Sequence, residues 1–388
     1  MRLSQKIKNV VGSTTLAITA RAKELKSQGF DVVNFAGGEP DFDTPDFIKS
    51  AAIQALEKGF TKYTPSTGTP ELREAISQKF KKDNNLDYAS AQIVVSCGAK
   101  HCLYNLMEAL VEVGDEVIIP APYWVSYPEM VKLAGGVPKI VPTSVKNSFK
   151  LTADEFSKNI SSKTKVLVLN SPSNPTGVLY SRRELSDLAQ ICVQKNIFVI
   201  SDEIYEKLVY DSAEFTAVAS LGKEIYNLTA TVNGVSKTYS MTGWRIGYFG
   251  APKELSECVK KFQDHTTSNP CSISQMAALA ALKASEESVT KMRDEFKTRR
   301  DLMMSYLDKI PQVSYVKPQG AFYVFTNIAK FKIGSNAFAK RVLDEINIAL
   351  IPGEGFGADD YVRLSFSTSQ DRIHEGMKRL TDWIRKLC

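Results

Sequence analysis

The strongest constraint on this chain is an alternation. Short, mostly apolar runs at residues 93–95, 116–119, 166–169 and 197–200 are interleaved with segments whose apolar residues recur at helical spacing, 102–111, 125–133 and 182–194. A strand that is apolar and β-branched on both faces has to be covered on both, as happens in a parallel sheet flanked by helices. The pattern therefore predicts an α/β fold with a large, doubly wound, mainly parallel sheet.

At 388 residues the chain is longer than one simple core, which stops growing at roughly 250–300 residues, so two domains are expected. The texture changes near residue 285. A long charged helix pattern follows through Arg293, Glu295, Lys297, Arg299 and Arg300, then a shorter mix of helix and strand. The first forty residues also differ from the middle. The expected division is a large domain over 46–289 and a small α+β domain made from both ends, 1–45 and 290–388.

A net charge of +6, from 49 basic against 43 acidic residues with no long basic run, implies neither a nucleic-acid nor an anionic-membrane partner. No apolar run approaches the roughly 20 residues of a membrane span. The first twenty residues faintly resemble a signal peptide, but Gly12-Ser13-Thr14-Thr15 interrupts the apolar stretch, so a cytoplasmic location is expected. The six cysteines form no C-x-x-C pair and read as free thiols. The three histidines, His101, His265 and His374, lie far apart and supply neither a metal site nor a Ser-His-Asp triad. Chemistry then falls to Lys, Asp, Tyr, Arg or a cofactor.

The most informative string is Gly234-Val235-Ser236-Lys237-Thr238-Tyr239-Ser240-Met241-Thr242-Gly243-Trp244-Arg245-Ile246-Gly247. A lysine that attacks an aldehyde has to be neutral, and a tight site lowers its pKa. Small neighbours admit a cofactor ring, and an arginine eight positions on suits a phosphate dianion. Taken alone, Lys237 reads as an ordinary turn lysine. The whole string, however, resembles the Schiff-base motif of the class I, fold type I, pyridoxal-phosphate-dependent aminotransferases. The chain resembles that family from end to end, most of all its bacterial aspartate and aspartate/prephenate branch.

That resemblance implies pyridoxal 5′-phosphate bound to Lys237, an L-amino acid and a 2-oxo acid such as 2-oxoglutarate as substrates, and a homodimer. Asp202, at the end of an apolar run, is either a helix N-cap or the anion beside the cofactor's pyridine nitrogen, and the resemblance implies the latter. It likewise implies that Tyr205 and Asn174 bond the ring oxygen, although an Asn-Pro turn also accounts for Asn174. Gly98, Ala99 and Lys100 sit where a strand passes into a helix, a place that favours an anion. There the resemblance joins them to Ser236 and Arg245 around the phosphate, with Tyr63 reaching in from the partner subunit. Trp124 is a candidate to cover the ring face or, alternatively, a core tryptophan.

For substrate, the resemblance assigns the α-carboxylate to Arg363, otherwise a solvent-facing strand arginine, and the closing segment to Gly38 in the small domain. No arginine for a distal carboxylate is found; residues 264–270 contain none. Lys100 is the candidate in its place, and Ser13 and Thr14 are candidates to line the side-chain pocket. Aspartate or glutamate is the expected donor. Aromatic amino acids or prephenate, and a lyase on the same fold, are the alternatives. A non-catalytic regulator is disfavoured, because only about forty residues precede the large domain.

Overall fold

The computed structural model describes residues 3–12 and 14–387. Thirteen strands occur among the described residues. The first, β1 (Val33–Asn34), is followed by β2 (Ile93–Ser96), β3 (Glu116–Ala121), β4 (Val137–Pro142), β5 (Thr164–Asn170), β6 (Phe198–Asp202), β7 (Thr229–Gly234) and β8 (Gly247–Gly250). The C-terminal part adds β9 (Ser314–Tyr315), β10 (Tyr323–Asn327), β11 (Ile348–Ala349), β12 (Ile351–Pro352) and β13 (Tyr361–Ser365).

Strands β2 to β8 form one seven-stranded sheet in the order β2-β8-β7-β6-β5-β3-β4. Neighbours are parallel except at β8, which runs antiparallel to both β2 and β7. The expected mainly parallel sheet is therefore present, with one reversed strand. Its four predicted strands are β2, β3, β5 and β6. Val166, Leu167, Val168 and Leu169 on β5 are all buried, as a strand covered on both faces requires.

The predicted helices fall where the periodicity put them, at Ala99–Leu110, Ser126–Ala134 and Arg182–Lys195. The last is started by a reciprocal cap: Glu184 N–H donates to Ser181 Oγ at 3.3 Å and Ser181 N–H to Glu184 Oε2 at 2.7 Å. The charged helix predicted beyond residue 285 is Glu287–Leu307. Among the described residues, no helix is long and apolar enough to cross a membrane.

The two chain ends meet. β1 pairs in parallel with β11, Val33 opposite Ile348, and the strands β12-β13-β10-β9 form a second, antiparallel sheet. Val33 and Phe35 share one apolar cluster with Phe296, Phe322, Leu364 and Trp383, so the first forty residues and the last hundred bury a common core. That cluster also contains Tyr205 and Leu208, which follow β6, and so joins the two parts beside the C-terminal ends of the parallel strands.

Candidate active site

Asp202 ends β6, opposite Asn170 at the end of β5. Its side chain is buried. Oδ2 accepts a 2.6 Å hydrogen bond from the Tyr127 hydroxyl, and Oδ1 a 3.3 Å bond from the Ile204 N–H. Burial pushes the carboxyl up to about 6, against the pull of those donors and of the nearby Lys237 charge. Tyr127 faces Asp202 from the helix Ser126–Ala134 and is itself packed edge-on against Trp124, ring centres 5.3 Å apart.

The lysine motif leaves the sheet at Gly234, the last residue of β7. Lys237 Nζ donates to the Gly38 carbonyl at 2.6 Å, which ties the N-terminal segment to the motif. Burial draws the ammonium down to about 8. Glu39 opposes the shift, Arg363 and Arg245 add to it, and Asp202 opposes it. An amine in that range is neutral far more often near pH 7 than a solvated lysine.

The third corner collects positive charge. Gly98, at φ +93°, is the N-cap of the helix Ala99–Leu110, whose free N–H groups open onto the site. A Cβ on Gly98 would run into the Arg245 guanidinium, so the glycine lets arginine and helix terminus share one corner. Arg245 is fixed by two neutral acceptors, the Thr242 carbonyl at 2.8 Å and the Cys97 carbonyl at 3.3 Å, which leaves its charge for an outside anion. Lys100 Nζ lies 4.9 Å over the Trp124 ring, and partial burial and the charge of Arg245 lower its pKa.

Arg363 enters from β13. A solvent-facing arginine would be an ordinary strand residue, but this one is only 1% exposed. Nη1 donates to Asn174 Oδ1 at 2.9 Å and Nη2 to the Ala36 carbonyl at 3.0 Å, while the buried Nε has no partner. Its guanidinium stacks 4.3 Å from the Tyr323 ring centre and 5.3 Å from that of Phe356. A buried cation with an unsatisfied donor and only neutral partners is an unfinished anion site.

These groups line one cavity of about 370 Å³. Gly38, Ala99, Lys100, Trp124, Asn174 and Asp202 reach it, as do Tyr205, Ser236, Lys237, Arg245 and Arg363, with Gly98 directly behind Arg245. Tyr63 does not reach it: the side chain is 92% exposed. Its loop is nonetheless held, because Gln275 Nε2 donates to Thr64 Oγ1 at 2.9 Å and Thr69 N–H to Gln275 Oε1 at 2.8 Å. Ser13 lies outside the described residues. Thr14 begins the helix Thr14–Ser27, and its side chain is likewise outside the described set.

Tyr127 and Tyr323 also line the cavity, and neither was among the site residues expected from the sequence. Tyr127 stands three places after Trp124, a helical spacing that would have put it on the same face. Tyr323 carries no motif. It joins the site because β10 pairs with β13, Tyr323 opposite Ser365.

A lysine, an aspartate and an anion corner at the carboxyl edge of a doubly wound sheet, roofed by a second sheet that supplies an arginine, is the arrangement of the fold type I enzymes. The chain belongs to the aminotransferase class I and II family, whose model matches residues 31–380. It is 47% identical to an aspartate aminotransferase of a Bacillus species, over 99% of each chain. It is 45% identical to a probable aspartate/prephenate aminotransferase of Aquifex aeolicus, over 97% of each. The solved aspartate aminotransferase of Thermus thermophilus with maleate superposes with a TM-score of 0.95 at 40% identity, covering 98% of this chain and all of that one. By these likenesses the chain falls in the bacterial aspartate aminotransferase branch of class I.

Proposed function

We propose that this chain is a pyridoxal 5′-phosphate-dependent aminotransferase that moves an amino group between L-aspartate or L-glutamate and a 2-oxo acid such as 2-oxoglutarate. The observation that carries the reading is that Lys237 shares one cavity with the buried Asp202 carboxylate and the positively charged corner of Arg245 and Lys100, its pKa drawn down to about 8 by burial. Three features of the cavity fit the cofactor. Asp202 is buried without a cation bonded to it, Arg245 has only neutral partners, and no side chain fits at Gly98.

Asp202 would hold the ring nitrogen, Tyr205 and Asn174 the ring oxygen, and Trp124 a ring face. Gly98, Ala99, Lys100, Ser236 and Arg245 would hold the phosphate. Bound there, the cofactor supplies an aldehyde for amine exchange and a ring that draws electrons from the substrate's α-carbon. Arg363 takes the α-carboxylate in a two-pronged grip, using the Nε that now lacks a partner. Lys237 Nζ then removes the proton from the substrate Cα and later returns one, a role worth typically 10²–10⁴-fold in rate. The Gly38 segment, already bonded to Lys237, keeps water out.

Aspartate as donor is supported by the names of the relatives, and Lys100, which lines the same cavity, would meet either a distal carboxylate or the cofactor phosphate. Residues 46–289 would form the large domain, and 1–45 with 290–388 the small domain that closes over the substrate. A homodimer is supported by the exposed Phe47, Ile53 and Leu56 on one helix and by the projecting Tyr63, which would complete the partner's phosphate site. A cytoplasmic location is in keeping with the free cysteines.

The test is an absorbance titration of the yellow holoenzyme with L-aspartate, L-glutamate, L-phenylalanine, L-alanine and L-lysine in turn, without 2-oxo acid. Bleaching of the visible band by aspartate and glutamate is expected. Bleaching by phenylalanine or alanine alone would overturn the substrate, and no visible band after cofactor is supplied would overturn the reading from Lys237 outward.

A further inference from the structure

Tyr323 touches both halves of the site. Its hydroxyl lies 2.9 Å from the Tyr205 hydroxyl, and its ring lies 4.3 Å beneath the Arg363 guanidinium. The residue is fully buried at the start of β10, where Phe322 packs against its ring with centres 4.7 Å apart. A ring so confined holds one orientation.

We propose that Tyr323 is a positioning residue for both ends of the reaction. Its hydroxyl directs the Tyr205 proton toward the cofactor's ring oxygen, and its ring seats Arg363 for the substrate carboxylate. The inference rests on the aminotransferase reading above. Each tyrosine hydroxyl has one proton. When Tyr205 donates to the cofactor, the short contact between the two hydroxyls is kept only if Tyr323 donates to Tyr205. A donor at the Tyr205 oxygen polarises its O–H and strengthens the next bond in the chain by roughly 10–30%. That bond favours the deprotonated form of the cofactor bound to Lys237. Loss of the Tyr323 hydroxyl therefore lets the protonated form persist to higher pH.

The experiment uses purified holoenzymes carrying Tyr323→Phe, Tyr205→Phe, both changes together, and Tyr323→Leu. The visible band of the Lys237-bound cofactor is titrated with acid and base. Tyr323→Phe should raise the midpoint by roughly 0.2–0.6 unit. In the Tyr205→Phe background the same change should move it no further. Succinate, a dicarboxylate without an amino group, is titrated as a dead-end ligand. Tyr323→Phe keeps the ring and should leave its Kd within about twofold, whereas Tyr323→Leu should weaken it roughly 3- to 30-fold. An unchanged midpoint in Tyr323→Phe, an equal shift in both backgrounds, or succinate binding unaffected by Tyr323→Leu would overturn the proposal. Absence of a visible band in the wild-type protein would instead overturn the cofactor reading.

Discussion

Replacing Arg363 by Met should separate stability from activity. The guanidinium is buried, and its hydrogen bonds go to Asn174 Oδ1 and the Ala36 carbonyl, both neutral. Burial lowers its pKa, the sign of a charge the fold does not favour. Removing it forfeits two bonds from a charged donor, worth about 1.5–3 kcal/mol each. It also relieves a desolvation penalty of several kcal/mol per buried ion. Methionine fills much of the same length. The two effects nearly cancel, so the net change should stay within about 2 kcal/mol of zero. At roughly 2.1 cal/mol/K per residue, a protein of this size unfolds with an entropy near 0.8 kcal/mol/K, and 2 kcal/mol moves Tm by only about 2–3 °C. Activity has no such compensation. The α-carboxylate loses two charge-assisted bonds, about 3–6 kcal/mol, so kcat/KM for aspartate should fall at least about 100-fold. Calorimetry of the cofactor-free protein and steady-state kinetics of the holoenzyme read the two quantities. A Tm loss above about 6 °C would mean that Arg363 is a structural linchpin, and a kcat/KM within tenfold of wild type would remove it from substrate binding.

Three further outcomes are expected. Burial lowers Lys237 to about 8, so the cofactor-free protein should capture pyridoxal phosphate at a rate that rises with pH and levels off above about pH 8. The same shift, below the unfolded value of 10.5, means the unfolded chain binds more protons there, so this group's contribution makes stability rise between about pH 8 and 10.5, a slope that Lys237→Met should remove. A rate still climbing at pH 10, followed by stopped-flow absorbance, would place Lys237 in solvent. Gly98→Ala forces a side chain into a backbone conformation that costs about 1–3 kcal/mol and displaces Arg245, so cofactor Kd by equilibrium dialysis should weaken about tenfold or more. Finally, on the proposed homodimer, Tyr63→Ala and Lys237→Ala chains, each nearly inactive alone, should recover activity when co-expressed, since a mixed dimer would contain one site with both groups. Activity no greater than the sum of the separate proteins would exclude Tyr63 from the partner's site.

Much of this was legible in the sequence because the signals were local. Strands β2, β3, β5 and β6 were visible as apolar runs, and the residues around Lys237 formed one continuous string. β7 was not visible. Its buried Thr229, Thr231 and Asn233 read as polar, yet Thr229 Oγ1 donates to the Ile225 carbonyl at 2.7 Å, and Thr231 Oγ1 shares a 3.1 Å hydrogen bond with the Tyr88 hydroxyl. β8 was hidden by its terminal glycines, Gly247 and Gly250, and β4 by Pro138 and Pro142, which an edge strand tolerates. In the site, Asp202 and Arg363 were readable as residues at the ends or faces of strands, but their burial was not. The Tyr205–Tyr323 contact spans 118 positions and exists only because two sheets meet, so no spacing in the sequence could announce it.

The pairing of Val33 with Ile348 has a consequence for synthesis. At a ribosomal pace of about 5–20 residues per second, the first strand waits some 15–60 s for its partner to emerge. The seven-stranded sheet, complete by Gly250, can assemble during that interval, while the roof over it cannot. A nascent chain would therefore own its lysine and anion corner well before it owns Arg363, and the capacity to hold a cofactor would precede the capacity to hold a substrate.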